Sequence, residues 1–218
     1  TVALFVLIYE LTGSELGIGL LFVIRMFSLA FPQIFTGMLA DRFSRKALMI
    51  WANVLSAMAV LLLLTVDQES EVWLIYAIAS LLMVFHAVFI PAERASIPNI
   101  TEENELLTAN ALSSATWSAA LCLGASIGGI VVSAYGVDAA FIINSVCFAL
   151  GALMYTTITI PQEPFVPKEG GVWANTGGNI VEGFRIIFSK PHVSRIITAK
   201  ALWAIFGGGL VYMLILIG

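Results

Sequence analysis

Seven long apolar stretches, bounded by charged or turn residues, occupy most of this sequence. A helix needs about 20 consecutive apolar residues to cross the hydrocarbon core of a bilayer, where every backbone polar group must be paired internally. The sequence therefore predicts an all-α integral membrane protein. The predicted spans are residues 1–12, 17–40, 47–66, 72–91, 107–135, 138–160 and 195–217.

The composition agrees with this fold class and excludes two others. Charged residues make up 11% of the 218 residues and apolar residues 60%, whereas soluble domains have about 25% and about 45–50%. A soluble enzyme would need far more charged surface, and a disordered regulator would need low hydrophobicity. The lipid bilayer is therefore the expected surrounding of most of the chain.

The basic residues sort to one side of the predicted spans. Of the two alternate sets of connecting loops, one holds eight Lys or Arg residues and the other holds none. Because cytoplasmic loops carry such an excess, the loop that contains Asp41 is predicted to be cytoplasmic. The eight residues are Arg42, Arg45, Lys46, Arg94, Lys168, Arg185, Lys190 and Arg195.

The chain is predicted to divide at residues 161–180, where three prolines and four glycines forbid a continuous helix. We expect an N-terminal transmembrane bundle over 1–160, a cytoplasmic linker over 161–180, an interfacial amphipathic helix over 181–190 and the first helix of a C-terminal bundle over 191–218. The alternative for 181–190 is an early start of the seventh span, broken at Pro191.

Both ends of the sequence suggest truncation. The stretch 1–12 is about half as long as a membrane span requires, so the first helix is expected to be incomplete. The last apolar run stops at Gly218 with no polar residues after it. We therefore interpret the sequence as a fragment of a longer protein.

The most informative motif is Gly37-Met-Leu-Ala-Asp41-Arg42-Phe-Ser-Arg45-Lys46, at the end of the second predicted span. A short cytoplasmic loop needs Lys and Arg to set topology, which accounts for the three cations. It does not account for the carboxylate of Asp41 or for Gly37 one turn earlier. Gly37 would let another helix approach closely, and Asp41 would suit the N-terminus of a partner helix.

Glu10, Arg25 and His86 are ionisable residues that lie deeper inside predicted spans than topology requires. A charge near the bilayer centre costs roughly 2.5–3.5 kcal/mol on insertion scales, so Glu10 and Arg25 are expected to have a partner or a water-filled cavity. They belong to neighbouring antiparallel spans and could meet, either as a structural pair or as part of a gate or substrate site. His86, in the fourth span, could relay protons or form a hydrogen bond between helices.

The motif from Gly37 to Lys46 resembles the signature between the second and third helices of major facilitator superfamily transporters. Other stretches are similar to a bacterial branch of exporters that contains macrolide-efflux and enterobactin-export proteins. The resemblance covers essentially all of this chain, but only about the first half of a family member. The similar stretches are Tyr9-Glu10-Leu11-Thr12-Gly13-Ser14, Pro91-Ala92-Glu93-Arg94-Ala95 with Pro98, Ala109-Asn110, and Lys200-Ala-Leu-Trp203 with Gly207-Gly208-Gly209.

A small-residue face in the fifth predicted span adds a second motif. Gly124, Gly128 and Gly129 would allow helices to cross closely. This face resembles the antiporter motif of drug exporters, in which a proline follows the first glycine, but Ala125 occupies that place here. The alternative is that these glycines are ordinary helix-packing residues.

The resemblance implies a six-helix bundle of inverted three-helix repeats, followed by the first helix of a second bundle. It implies a multi-pass protein of the bacterial inner (plasma) membrane that exports an amphipathic small molecule by alternating access, as an antiporter with protons as the coupling ion. In that picture Asp41, Arg42, Arg45 and Lys46 form an inner latch with the missing C-terminal bundle. Two alternatives remain open, a transporter of lysophospholipid-type lipids and a transport-inactive membrane scaffold or assembly factor. The aromatic residues that would line a site for bulky substrates, or else face lipid, are Phe22, Phe27, Phe31, Phe85 and Trp117.

Other chemistries have no counterpart in the sequence. It contains no Gly-Lys-Ser/Thr phosphate loop, no recognisable set of nucleophile, base and orienting residue, and no basic surface for nucleic acid. Cys122 and Cys147 fall inside predicted spans without companion ligands for a metal. We therefore expect no enzyme activity, no cofactor, no metal and no nucleic-acid partner.

Overall fold

A computed structural model describes residues 2–162, residue 185 and residues 188–202. The chain divides into two compact units, Thr1–Phe165 and Val166–Gly218. In the second unit, residues 191–202 are helical. Most of the predicted linker and interfacial helix, and the later part of the predicted seventh span, lie outside the described residues.

The first unit consists of helices, and the part of it that the structure describes contains no strand. Four of its helices are apolar and long enough to cross a membrane by length and composition, and Val2–Thr12 is a shorter apolar helix. The predicted fold class is therefore confirmed. The helices are α1 (Val2–Thr12), α2 (Glu15–Arg42), α3 (Arg45–Leu62), α4 (Val72–Ile100) and a long helical stretch over Leu106–Thr157, with 3-10 turns at Leu63–Thr65 and Glu69–Glu71.

The stretch Leu106–Thr157 is two helices joined at Gly136. Its 52 residues would extend about 78 Å as one straight helix, more than twice the roughly 30 Å of a bilayer core. Gly136 has φ 82° and ψ 176°, a conformation that a side chain would strain and glycine adopts readily. We call the two parts α5 (106–135) and α6 (137–157), which agree with two separate predicted spans.

A tight turn joins α1 to α2. Gly13 has φ 60°, and its N–H donates to the carbonyl oxygen of Tyr9 at 2.8 Å, so a left-handed glycine ends α1. Ser14 then begins α2, because its side chain accepts from the N–H of Gly17 at 3.3 Å. The Thr-Gly-Ser sequence thus ends one helix and begins the next within two residues.

Helix α4 continues well past the end of its predicted span. The apolar run suggested 72–91, but α4 continues to Ile100 with Pro91 and Pro98 inside it. A proline removes one backbone donor and strains the preceding turn, which favours a kink but does not require the helix to end. The apolar run marks the expected bilayer segment, and the helix extends beyond it.

Close helix contacts occur at two glycines that the sequence did not single out. A Cβ at Gly17 would lie 3.1 Å from Ile8 Cγ2 and 3.4 Å from the hydroxyl of Tyr76, at the junction of α1, α2 and α4. A Cβ at Gly151 would lie 3.2 Å from Asn53 Oδ1, between α6 and α3. These positions are where the absence of a side chain lets helices approach.

The glycines of the predicted packing motifs behave differently. A Cβ at Gly37, Gly124, Gly128 or Gly129 would meet no described atom within 4 Å. The close crossing expected at these residues is therefore not found among the described residues, because their helix faces are not in contact with another described helix there.

Candidate functional site

A partly open cavity of about 380 Å³ lies between the helices of the first unit and is lined by residues of all six helices. This volume is near the lower end of the roughly 300–1,000 Å³ that is usual for ligand sites. Its wall combines aromatic and aliphatic side chains with a few polar groups. The lining residues are Leu4, Arg25, Ala52, Asn53, Ser56, Leu82, Met83, Phe85, His86, Phe89, Trp117, Asn144 and Phe148.

The cavity brings Arg25 and His86 together on one surface. Arg25 reaches from α2 to α4, where its Nη2 lies 3.9 Å from the Met83 sulfur. Glu10 is exposed on α1 and is not among the lining residues. The described part of the structure thus places Arg25 with His86 and does not place Glu10 at the same site.

Three aromatic rings form a nearly parallel row along one wall of the cavity. The ring of His86 stacks on Trp117 with centroids 5.8 Å apart and an interplanar angle of 17°. On its own helix, His86 also lies nearly parallel to Phe89, at 6.4 Å and 10°. Of the aromatic residues expected to line a site, Phe85 and Trp117 do so, whereas Phe27 and Phe31 are exposed.

Arg45 lies at the start of α3 and binds backbone carbonyl groups of two other helices. Its Nη1 donates to the carbonyl oxygen of Ala95 in α4 at 2.7 Å, and its Nε donates to that of Ala40 near the end of α2 at 3.3 Å. Asp41 Oδ1 is 4.0 Å from Arg45 Nη2, and the Asp41 side chain is 69% exposed. The carbonyl contacts are therefore stronger candidates for holding Arg45 than the ion pair is.

Lys46 and Gln162 extend this set of contacts. Lys46 Nζ donates to the carbonyl oxygen of Thr156 at 2.7 Å, one residue before the end of α6. The Gln162 amide accepts from the N–H of Arg45 at 3.0 Å and donates to the carbonyl oxygen of Phe43 at 3.1 Å. We call Arg45, Lys46 and Gln162 the motif cluster, because together they join α2, α3, α4 and α6 at one end of the bundle.

The sequence analysis predicted that Arg45 and Lys46 set the topology and belong to a latch. It did not predict that these side chains donate to backbone carbonyl groups. The predicted topology already indicated some of these carbonyl partners. Alternating spans place the C-terminal ends of α2, α4 and α6 on the side where α3 begins, and the last four carbonyl groups of a helix lack intrahelical partners. Ala40 and Thr156 belong to such last turns, whereas Ala95 lies five residues before the end of α4. Cations are favoured at helix C-termini by the helix dipole as well as by hydrogen bonding.

Nothing in the described residues forms a metal site, since no three His, Cys, Asp or Glu side chains come together there. Cys122 and Cys147 are both exposed, free cysteines. The chemistry that the cavity offers is binding, through Arg25, His86 and the ring row.

These features define a polytopic helical membrane protein with an internal, partly polar cavity. The sequence profile of the Major Facilitator Superfamily matches residues 1–218, so the chain belongs to that superfamily of membrane transporters.

Two relatives come from Bacillus subtilis (strain 168). The chain is similar to the MFS-type transporter YfiS, with 28% identity over 189 residues that cover 84% of this chain and 43% of the relative. It is also similar to the MFS-type transporter YkuC, with 24% identity over 193 residues, covering 84% of this chain and 44% of the relative. The chain thus spans less than half the length of these curated relatives. No solved structure gives a significant match.

Proposed function

We propose that the protein containing this chain is a secondary active transporter that exports an amphipathic organic compound in exchange for protons, by alternating access. The observation that carries the proposal is the cavity, in which aromatic walls surround Arg25 and His86. Ionisable residues within membrane helices are costly and typically face a substrate or ion pathway. Apolar walls with a few polar groups are the usual composition of a small-molecule site.

The proposed coupling to protons and the proposed direction of transport are supported by different observations. His86 is the one histidine that lines the cavity among the described residues, and histidine is the side chain whose ordinary titration falls near physiological pH. Export is suggested by the resemblance of the motif and loop stretches to macrolide-efflux and enterobactin-export proteins. In this scheme the motif loop is cytoplasmic, and Asp41 and Arg42 contact the C-terminal bundle in one state of the cycle.

Everted membrane vesicles carrying the complete protein test this function directly. With an acidic interior imposed, the vesicles are expected to accumulate at least one member of a panel of amphipathic anions and cations, including 2-naphthalenesulfonate, rhodamine 6G and erythromycin. Collapse of the gradient with a protonophore should abolish accumulation, and vesicles without the protein provide the control. Absence of gradient-dependent flux for a probe that the purified protein binds would refute transport, and a stable co-purifying partner would then favour a scaffold.

A variant of Asp41 can distinguish an effect on the transport cycle from an effect on substrate binding. Asp41→Asn is expected to reduce flux while leaving expression and probe binding largely unchanged, because the Asp41 carboxylate is exposed and Asp41 is not among the residues that line the cavity. A loss of probe binding that parallels the loss of flux would contradict the latch. His86→Gln is the matching test for coupling, with flux expected to lose its dependence on the pH gradient.

A further inference from the structure

The chain that follows α6 is attached to the bundle by three successive residues, at the end where the motif cluster lies. Ile160 packs against the buried core cluster that includes Met49. The carbonyl oxygen of Pro161 accepts from the side-chain amide of Asn99, one residue before the end of α4. Gln162 binds the loop between α2 and α3. We call these three residues, 160–162, the strap.

We infer that the strap is a conformational clasp, which opens and closes on the α2–α3 loop as one unit and so controls when that loop can change its contacts. The loop directly follows Asp41 and Arg42, which the proposed function places against the C-terminal bundle in one state of the cycle. The control of transport by the strap therefore rests on the proposed function, whereas its opening and closing does not.

The side-chain amide of Gln162 uses both its acceptor and its donor on this loop. Its Oε1 accepts from the N–H of Arg45 at 3.0 Å, and its Nε2 donates to the carbonyl oxygen of Phe43 at 3.1 Å. Arg45 is the first residue of α3, where a backbone N–H has no partner within the helix, and Phe43 is the C-cap residue of α2. One side chain therefore bridges the end of one helix and the start of the next.

The hydrogen bonds of the strap are weak enough to be reversible. Each neutral hydrogen bond contributes a net free energy that corresponds to roughly a 2- to 10-fold change in an equilibrium constant. The bonds from Gln162 to Phe43 and from Asn99 to Pro161 are exposed, and segments with exposed hydrogen bonds open locally before packed helices do. Arg45 instead donates from a charged, 16% exposed side chain to a carbonyl oxygen of α4 at 2.7 Å, which is a stronger contact. The strap is therefore expected to open while Arg45 still joins α3 to α4.

Hydrogen exchange at the backbone amide of Arg45 tests the strap in the purified, complete protein in detergent micelles. This N–H donates to Gln162 Oε1, so its exchange with solvent requires that bond to open. The amide of Leu48 donates to the carbonyl oxygen of Ser44 at 2.9 Å at the start of α3 and is the internal reference for fraying of the helix. Mass spectrometry with electron-transfer fragmentation resolves the two amides.

Variants distinguish a strap that moves as one unit from a local cap on α3. Gln162→Met keeps the length of the side chain, removes both hydrogen bonds and is expected to raise the exchange rate of the Arg45 amide by at least about fivefold. Asn99→Leu removes the bond to Pro161 and should raise the same exchange rate by roughly 2- to 10-fold, because loosening one part of the strap loosens the rest. Gln68→Met, which replaces an exposed glutamine between α3 and α4, is the matched control and should exchange as the wild type does. Monodisperse elution shows that each variant is folded.

Three exchange results would overturn the inference. The Arg45 amide of the wild type could exchange as fast as that of Gln162→Met, Asn99→Leu could leave its exchange unchanged, or the Leu48 amide could accelerate by the same factor in both variants. The second result would make Gln162 a local cap, and the third would mean that α3 itself frays.

Flux of a transported probe into everted vesicles tests the control of the cycle. Gln162→Met and Asn99→Leu are expected to change the rate of flux in the same direction by at least about twofold, with probe binding unchanged, since both shift the same equilibrium. Faster exchange with wild-type flux would overturn the control of transport by the strap. Absence of flux in the wild type would refute the proposed transport, and the exchange measurements would still decide whether the strap opens and closes as one unit.

Discussion

Replacing Arg45 with methionine tests how the motif cluster holds the bundle together. Methionine keeps much of the length of the side chain and removes its charge and all of its donors. The substitution leaves the carbonyl oxygen of Ala95, now 2.7 Å from Nη1, without that partner, and also removes the longer contact to Ala40 at 3.3 Å. The backbone contacts of Gln162 with Arg45 and Phe43 would remain, but the direct side-chain bonds from α3 to Ala95 and Ala40 would be lost.

The magnitude follows from the type of each contact. A hydrogen bond from a charged donor contributes roughly 1.5–3 kcal/mol, and the Arg45 side chain is only 16% exposed, so the short bond to Ala95 should keep most of this value. The ion pair with Asp41, at 4.0 Å and with a 69% exposed carboxylate, should contribute less than about 1 kcal/mol. We expect Arg45→Met to lower the free energy of unfolding by about 2–3 kcal/mol, and Asp41→Asn by less than about 1 kcal/mol.

The assay is reversible SDS titration of the complete protein in mixed micelles, with helicity as the readout. Arg45→Lys is the informative intermediate, because a single ammonium can reach one carbonyl oxygen but cannot bridge two. Asp41→Asn is the matched control within the same motif. An effect of Asp41→Asn as large as that of Arg45→Met would refute the reasoning, since it would mean that the ion pair, and not the carbonyl contacts, holds Arg45.

Two further predictions concern the contact between α3 and α6. Gly151→Leu is expected to lower the free energy of unfolding by about 1–3 kcal/mol, because a Cβ there already lies 3.2 Å from Asn53 Oδ1. Gly128→Leu, where a Cβ meets no described atom within 4 Å, should have little effect in the same SDS titration, and equal losses would contradict the observed contact. Ser145→Ala removes the donor to the Ala57 carbonyl oxygen at 2.9 Å and is expected to cost about 0.6–1.7 kcal/mol. An unchanged midpoint would show that this bond is replaced when the helices separate.

The positions of the helices could be predicted well from the sequence. The predicted spans 17–40 and 138–160 correspond to α2 (Glu15–Arg42) and α6 (137–157), and even the division at Gly136 followed from a loop expected there. These are local properties. An apolar stretch must satisfy its backbone internally in a bilayer, and this requirement does not depend on which neighbour it packs against.

The site was predicted only in part. Arg25 and His86 were recognised as unusual because a charged or polar side chain in a membrane helix is costly wherever it points. The sequence does not predict that they line one cavity, and it favours Glu10 as the partner of Arg25 because the two residues lie at similar depth in neighbouring antiparallel spans. Two residues on separate helices come together through helix rotation and crossing, which small residues and interhelical hydrogen bonds decide.

Hydropathy along the chain is enough to predict a helical membrane protein and the approximate position of each helix, although α4 continues to Ile100 beyond the predicted end at 91. Hydropathy and charge are properties of each segment by itself, so the position of a helix can be predicted from the residues of that segment. Three features are visible only once the helices have packed: Arg45 and Lys46 bind helix carbonyl groups, Gly17 and Gly151 lie at close helix contacts, and Arg25 shares a cavity with a row of rings. Those features are contacts between segments far apart in the chain, and their geometry exists only after the helices have packed.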